Sequence, residues 1–314
     1  MRTKQTVEGA LLIALTFILF LGSLYIPLIG IFLALFSPVP LVILSMRYGL
    51  KRGLAGALIS SFLILLAGGP FQAFVFIFNS AVVAIAIGFL VGRGFRPSEV
   101  LFYGTLASLG AKILFFSLSA LILGINPFEF NLKMIQDAFK SSADFYRKLG
   151  LLQEGSPLSD QNLSAFLNYL RTIFPAIIIL ASALDAFLTF VVSGWVLRRL
   201  RETFPSLPSF SEWRFPRSIF WGMAVGILFS IIGGHTSNSY LINAGANLQL
   251  VFGVLFTIQG ASFLDYLMKR FRLKRGFRIV VIFFVFTQPF LSKVALFLGM
   301  FDVIIDLRRR RGGL

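Results

Sequence analysis

The sequence predicts an all-α, polytopic transmembrane helical bundle, and three observations carry that prediction. Apolar residues make up 57% of the 314-residue chain against 13% charged, with a mean hydropathy of +0.86. That leaves too little polar surface to coat a soluble fold of this size. The apolar residues come in runs long enough for a hydrocarbon core of roughly 30 Å, which takes about 20 residues of helix. Finally, 22 of the 29 Lys and Arg residues sit in short clusters between those runs, and with the N-terminus placed in the cytosol all 22 fall on one side. They are Arg2 and Lys4; Arg47, Lys51 and Arg52; Arg93 and Arg96; Arg198, Arg199, Arg201, Arg214 and Arg217; Lys269, Arg270, Arg272, Lys274, Arg275 and Arg278; and Arg308 to Arg311. Basic residues at span ends resist translocation, so the expectation is a multi-pass protein of the cell membrane with both termini cytoplasmic.

The elements follow in order. Met1 to Thr6 and the apolar run from Gly9 resemble a signal sequence, but no small-residue cleavage site precedes the next run, so this is read as an uncleaved span 1 near residues 7–25. After Pro27 and Gly30, span 2 (28–46) ends in the turn Arg47-Tyr48-Gly49-Leu50-Lys51-Arg52-Gly53. Span 3 (53–67) leads to Gly68-Gly69-Pro70, span 4 (71–91) to Gly92-Arg93-Gly94, and span 5 (99–123) to Asn126-Pro127. Span 6 (173–197) returns to Arg198-Arg199, which completes a six-span bundle over residues 1–204. Residues 125–171 form a long external segment in which Phe128, Leu132, Ile135, Phe139, Tyr146 and Leu149 recur at helical spacing. After a Ser159 N-cap, Leu163, Phe166, Leu167 and Leu170 do so again. Two amphipathic helices on the outer surface are therefore expected, either floating at the headgroups or forming a lid over an outward-facing pocket.

Pro205, Pro208 and Pro216 among polar and basic residues mark 205–217 as a cytosolic linker. Residues 218–314 hold the C-terminal membrane helices: span 7 (218–233), an outer polar loop from Gly233 to Asn247, and span 8 (248–268). The stretch from Arg278 to Arg308 has basic flanks at both ends and so crosses an even number of times, as a hairpin broken at Gln288-Pro289 or as a helix that dips and returns. Two to four helices thus follow the six-span unit.

Ionisable groups at mid-membrane depth are expensive, so they mark a functional site or an interior ion pair. Lys112 of span 5 and Asp185 of span 6 both fall near ~16 Å from the cytosolic boundary at 1.5 Å per residue, with Asn79 of span 4 at a similar level. Paired, they would offset part of the desolvation cost that each carries alone. The pair either locks helix packing or serves a substrate or a proton. His235, the only histidine, and Asn238 lie at the outer loop, as a solvated turn or as outer substrate contacts. Gln72, Asn126, Asn243 and Asn247 share that side. Asp265, Asp302 and Asp306 stand close to basic residues and are read as local salt bridges, while the depth of Lys293 depends on the fold of the terminal segment.

Enzyme signatures are absent: there is no phosphate-binding glycine loop ending in Lys-Ser/Thr, no His-Glu-x-x-His and no Gly-x-Ser-x-Gly. With no cysteine and one histidine the sequence offers no metal or thiolate site, and no cofactor is expected. The +16 charge comes in clusters at span ends, which suits anionic lipid headgroups and not nucleic acid. Small residues four apart (Ala10 and Ala14, Gly49 and Gly53, Gly88 and Gly92, Ala107 and Ala111, Gly222 and Gly226) allow close helix approach, within the chain or to another membrane protein.

The stretch Glu8-Gly9-Ala10-Leu11-Leu12-Ile13-Ala14-Leu15-Thr16, with Ser37-Pro38-Val39-Pro40 leading to Arg47-Tyr48-Gly49-Leu50-Lys51-Arg52-Gly53-Leu54-Ala55-Gly56, resembles the S components of energy-coupling-factor (ECF) vitamin transporters over residues 1–200. The resemblance implies a substrate-binding subunit for a small nutrient, with Ala10 and Ala14 matching the Ala-x-x-x-Ala helix that contacts a transmembrane coupling subunit and its ATPases. Over the whole length, including Gly299-Met300-Phe301-Asp302-Val303-Ile304-Ile305-Asp306-Leu307-Arg308, the chain is more similar to the YybS-type uncharacterised bacterial membrane proteins. The expected role is a binding or transport subunit without chemistry of its own. A membrane scaffold assisting envelope or cell-division machinery, and a proton-coupled carrier, are the alternatives.

Overall fold

The computed structural model describes residues 2–122, 134–142, 145, 160–305 and 308, and every regular element among them is helical. Eight helices among the described residues are long and apolar enough to cross a membrane. Spans 1 to 5 are Arg2–Tyr25, Gly30–Tyr48, Leu50–Gly68, Pro70–Gly92 and Pro97–Ile122. Spans 6 to 8 are Asp160–Arg199, Ile219–Thr236 and Ser239–Arg270. Asn126, Phe128, Leu132, Tyr146, Leu149, Ser159 and Asp306 lie outside the described residues.

Local chemistry sets the breaks. Span 2 consists of two helices, Gly30–Phe36 and Val39–Tyr48, because Pro38 and Pro40 cannot donate the rungs that would continue the first into the second. Gly49 (φ +81°) turns the chain from span 2 into span 3, and nothing lies within 4 Å of a Cβ placed there. Gly49 was expected to pack with Gly53, but backbone conformation is what selects it; only Gly53 packs, where a Cβ would stand 2.8 Å from Ser45 Cβ. Gly88 and Gly92 do act together, since a Cβ on Gly92 would lie 2.7 Å from the Met46 carbonyl oxygen and one on Gly88 3.0 Å from the Val42 carbonyl carbon. Span 4 thereby lies directly on the second half of span 2.

The chain divides into two compact units, Met1–Ser164 with Ile178–Leu207, and Ala165–Ile177 with Pro208–Leu314. The first is built on a core that includes Leu41, Val42, Ile64, Phe76, Ile87, Val100, Ala186 and Leu197. The second has smaller clusters, around Met223, Phe256 and Val303 and around Ala261, Val285 and Ala295.

Two elements, span 6 and the outer loop, differ from the sequence expectation. Span 6 is a single 40-residue helix, so the second amphipathic segment (Leu163 to Leu170) is its N-terminal extension and not a separate surface helix. At 1.5 Å per residue it runs about 60 Å, twice the hydrocarbon thickness. It carries Pro175, whose ring crowds the carbonyl of Arg171 and removes one rung. The next rung is bridged by Asn247 of span 8. Its Oδ1 accepts the Ala176 N–H at 2.8 Å and its Nδ2 donates to the Thr172 carbonyl at 2.7 Å. The carboxamide thus inserts into the helix ladder as a stand-in peptide, which keeps the helix running through its proline.

The outer loop from Gly233 to Asn247 shrinks to Ser237 and Asn238, and Asn243 and Asn247 are helical. Asn238 starts span 8 early by capping it, its Oδ1 accepting the Tyr240 and Leu241 N–H groups at 3.0 and 3.4 Å. The Pro-rich stretch 205–217 is bonded into place. Phe204 and Leu207 pack in the core of the first unit, whereas Phe210–Glu212 forms a 3-10 turn whose Phe210 carbonyl accepts the Ser262 hydroxyl at 2.7 Å.

The terminal segment forms two helices, Arg275–Thr287 and Pro289–Ile305, bent by 101°. Their 13 and 17 residues extend about 20 and 26 Å, each short of a crossing. Arg278, at the start, pairs with Asp265 of span 8 at 2.8 Å; Arg308, after the end, donates to Ser262, one turn away on the same span, at 3.1 Å. Both ends of the pair return to the same level of span 8, so the segment is re-entrant. Gly260 and Gly299 make it fit, because a Cβ on either would strike a carbonyl of the facing helix, of Ala295 or Phe256.

Replacing Asn247 with Leu keeps the volume and strands the Thr172 carbonyl and Ala176 N–H. The expected loss is about 1–3 kcal/mol, read as a lower thermal midpoint in detergent, whereas the same change at exposed Asn243 leaves it within about 0.5 kcal/mol. Equal midpoints for the two variants contradict the bridging role.

Candidate functional site

The site is assembled on spans 5 and 6 of the first unit. A long side chain on a helix leans back toward the N-terminus, which brings the Lys112 ammonium to the level of Ser108, one turn below. Nζ donates to Ser108 Oγ at 2.9 Å and to Asp185 Oδ2 of span 6. Ser108 lies eleven residues into span 5, about 16 Å from its basic end, and Asp185 lies fourteen residues before Arg199, about 21 Å from the end of span 6. Both depths are within a hydrocarbon core of roughly 30 Å. The sequence match in depth is a contact in the structure.

The pair is lopsided. The Lys112 side chain is 10% exposed and that of Asp185 is 37% exposed. Oδ2 takes the ammonium, and among the described residues nothing bonds Oδ1. One edge of a carboxylate is therefore left open at mid-depth while its cation is sealed inside.

Asn79 lies beside this arrangement without joining it. It sits half-buried in a π-turn, Ile77–Ala81, within span 4, and that turn packs against span 5. A π-turn widens the helix by one residue and is frequent at functional sites. Phe74 and Phe78 meet Phe115, one turn beyond Lys112, at ring distances of 5.3 and 6.3 Å. Asn79 itself makes no hydrogen bond to another described residue.

The remaining sequence candidates have other surroundings. His235 is exposed in the last turn of span 7, and Asn238 is spent on the cap of span 8; both belong to the second unit. Lys293 is exposed on the second terminal helix. Ala10 and Ala14 are exposed on span 1, flanked by exposed Val7, Leu11, Leu15 and Ile18, while Leu12, Ile13, Thr16, Phe17 and Phe20 turn inward.

Two polar networks went unread in the sequence. At the basic end of the first unit the Arg47 guanidinium is held between the carboxylates of Glu8 and Glu202, and Tyr48 Oη donates to Glu8 Oε2 at 2.7 Å. The signal available was Glu8, the lone acid of span 1. In the second unit, Arg308 is sealed with 1% of its side chain exposed. It pairs with Asp302 at 2.9 Å, as expected for that aspartate, and donates to the Ser211 carbonyl at 2.6 Å. Gln259 Nε2 donates to Asp302 Oδ2 at 2.6 Å, and its Oε1 accepts the Phe215 N–H at 3.0 Å. Gln259, a carboxamide inside an apolar run, was the readable sign.

Spans of bilayer length, with interior charges neutralised by one another, define a multi-pass integral membrane protein. The chain belongs to the family described as "Predicted membrane protein (DUF2232)", whose model matches residues 14–303. It is similar to "Uncharacterized protein YybS" of Bacillus subtilis (strain 168), at 25% identity over 319 residues that cover 98% of this chain and 99% of that protein. No solved structure matches.

The lopsided burial predicts unequal variants. Asp185→Ala strands a sealed ammonium and is expected to cost up to about 3–5 kcal/mol; Lys112→Ala strands a carboxylate with an open edge and costs less. The exchange Lys112→Asp with Asp185→Lys restores much of the loss. Thermal midpoints of the four proteins in detergent check this, and normal stability of both single variants contradicts the pairing.

Proposed function

We propose that this protein is a binding subunit embedded in the cell membrane, which takes a small nutrient from outside through its six-span unit and has no catalytic chemistry of its own. The observation that carries the reading is the open edge of Asp185. A charged group at the bilayer centre costs about 2.5–3.5 kcal/mol if it faces lipid, so a carboxylate left 37% exposed there calls for a polar companion. A ligand entering the site meets an acceptor before it meets the cation. That favours a ligand with an amine, amide or hydroxyl to donate.

In this reading the termini are cytoplasmic. The energy comes from partners, because the sequence has no phosphate-binding loop. The outward-facing Ala10 and Ala14 on span 1 support docking of an ECF-type coupling subunit with its ATPases, in the manner of an S component. The same exposed ridge favours a second reading, a membrane scaffold in which a partner's helix supplies the polar companion to Asp185.

Mass spectrometry of small molecules retained by the full-length protein, compared with Asp185→Asn, tests the choice. A hydrogen-bond-donating compound retained by the native chain and lost from the variant is expected, together with a coupling ATPase in crosslinked membranes. The same small molecules in both samples, with no ATPase captured, contradict the transport reading.

A further inference from the structure

The turn joining span 8 to the first terminal helix carries Lys269, Arg270, Arg272, Lys274, Arg275 and Arg278 within ten residues and no acid. Elsewhere in the chain several basic residues are already engaged. Arg47 is shared by two carboxylates, Arg52 lies over Tyr48, Arg199 lies over Trp195 at 4.2 Å, and Arg308 is sealed on Asp302. Within this turn, Arg278 is taken by Asp265, and Lys269 stands 4.0 Å from Glu212. Arg270, Arg272, Lys274 and Arg275 are exposed and have no counter-ion among the described residues.

Apolar side chains alternate with these four cations and are also exposed: Phe271 by 72%, Leu273 by 40% and Phe277 by 56%. The chain reverses tightly here. Arg272 adopts φ 56° and the Leu273 N–H closes the turn on the Met268 carbonyl at 3.0 Å. Phe271 and Leu273 are thus held outward on a bonded turn and are not free to collapse into the protein. The helix that follows has 13 residues, too short to cross, and exposes Ile279, Val280, Phe283 and Phe286. Uncompensated cations interleaved with exposed aromatic and aliphatic side chains, at the entry of a re-entrant helix, suit a surface whose outer layer is anionic and whose next layer is hydrocarbon.

We infer that the turn Lys269–Arg278 is a binding site for anionic phospholipid, with Arg270, Arg272, Lys274 and Arg275 on the headgroup phosphates and Phe271, Leu273 and Phe277 among the acyl chains. The site seats the re-entrant pair in the leaflet on the basic side. It is separate from the Lys112–Asp185 site and stands whether or not the protein transports anything.

Native mass spectrometry of the full-length protein, released from detergent and titrated with phosphatidylglycerol or phosphatidylcholine, tests it. The glycerol lipid is expected to bind at least tenfold tighter than the choline lipid. The variant R270Q/R272Q/K274Q/R275Q loses at least tenfold of that affinity while its thermal midpoint holds, since those exposed side chains make no hydrogen bond or ion pair among the described residues. Should that variant not fold, the native chain decides, because its preference for phosphatidylglycerol then has to fall steeply with added salt. F271S/F277S weakens the lipid without removing charge. Equal binding of the two lipids, a preference insensitive to salt, or displacement of the lipid by millimolar inorganic phosphate, which would make this a free-anion site, each overturns the proposal.

Discussion

The fold depends on the exclusion of water from its interior, where a charged group left without a counter-charge is costly. Lys112 meets this by leaning back one turn onto Ser108 and Asp185. Arg308 meets it with a carboxylate, a hydroxyl and a backbone carbonyl at once. Even the missing rung beside Pro175 brings in a carboxamide from another span. In each case a long or bidentate polar side chain on one helix satisfies a need on another, so interior polarity also fixes which helices are neighbours.

The same constraint gives the second unit its form. Span 8 carries Gln259, Ser262 and Asp265 along its last turns, and each is answered by a different segment: Gln259 and Ser262 hold the backbone of the 205–217 stretch, while Asp265 holds the start of the terminal pair. Arg308 then closes the other end of that pair on Asp302 and Ser262. A segment too short to cross is thereby tied at both ends to one helix. Close backbone approach at Gly260 and Gly299 completes the seat, because van der Waals contact replaces the hydrophobic effect between helices in lipid.

Much of this was legible in the sequence, for physical reasons. Hydrophobic length and the clustering of Lys and Arg gave all eight spans, since both respond to the bilayer directly. Depth counting put Lys112 and Asp185 at one level, because a helix advances uniformly and spans 5 and 6 can be measured from their basic ends. The boundaries of spans 6 and 8 were not legible: polarity suggested a separate surface helix before span 6 and a loop before span 8, where Asn247 in fact mends the one helix and Asn238 caps the other. The Arg47 network, and the bonds from Arg308 to Ser211 and Ser262, were not legible because they join residues 39 to 155 apart and 46 to 97 apart in sequence, and periodicity carries no information across such intervals. Asn79 stands on a π-turn, which shifts the phase of its side chain relative to a uniform helix.

The proposed binding role requires the open edge of Asp185 to face a polar space and not lipid. The sequence contains no cysteine, so Asp185→Cys gives a single thiol. Its modification in proteoliposomes by a small, membrane-impermeant thiosulfonate, compared with a lipid-soluble maleimide, reads the surroundings directly. A polar space gives rapid modification by the hydrophilic reagent. Reaction with the lipid-soluble reagent alone would place the carboxylate against hydrocarbon and contradict it.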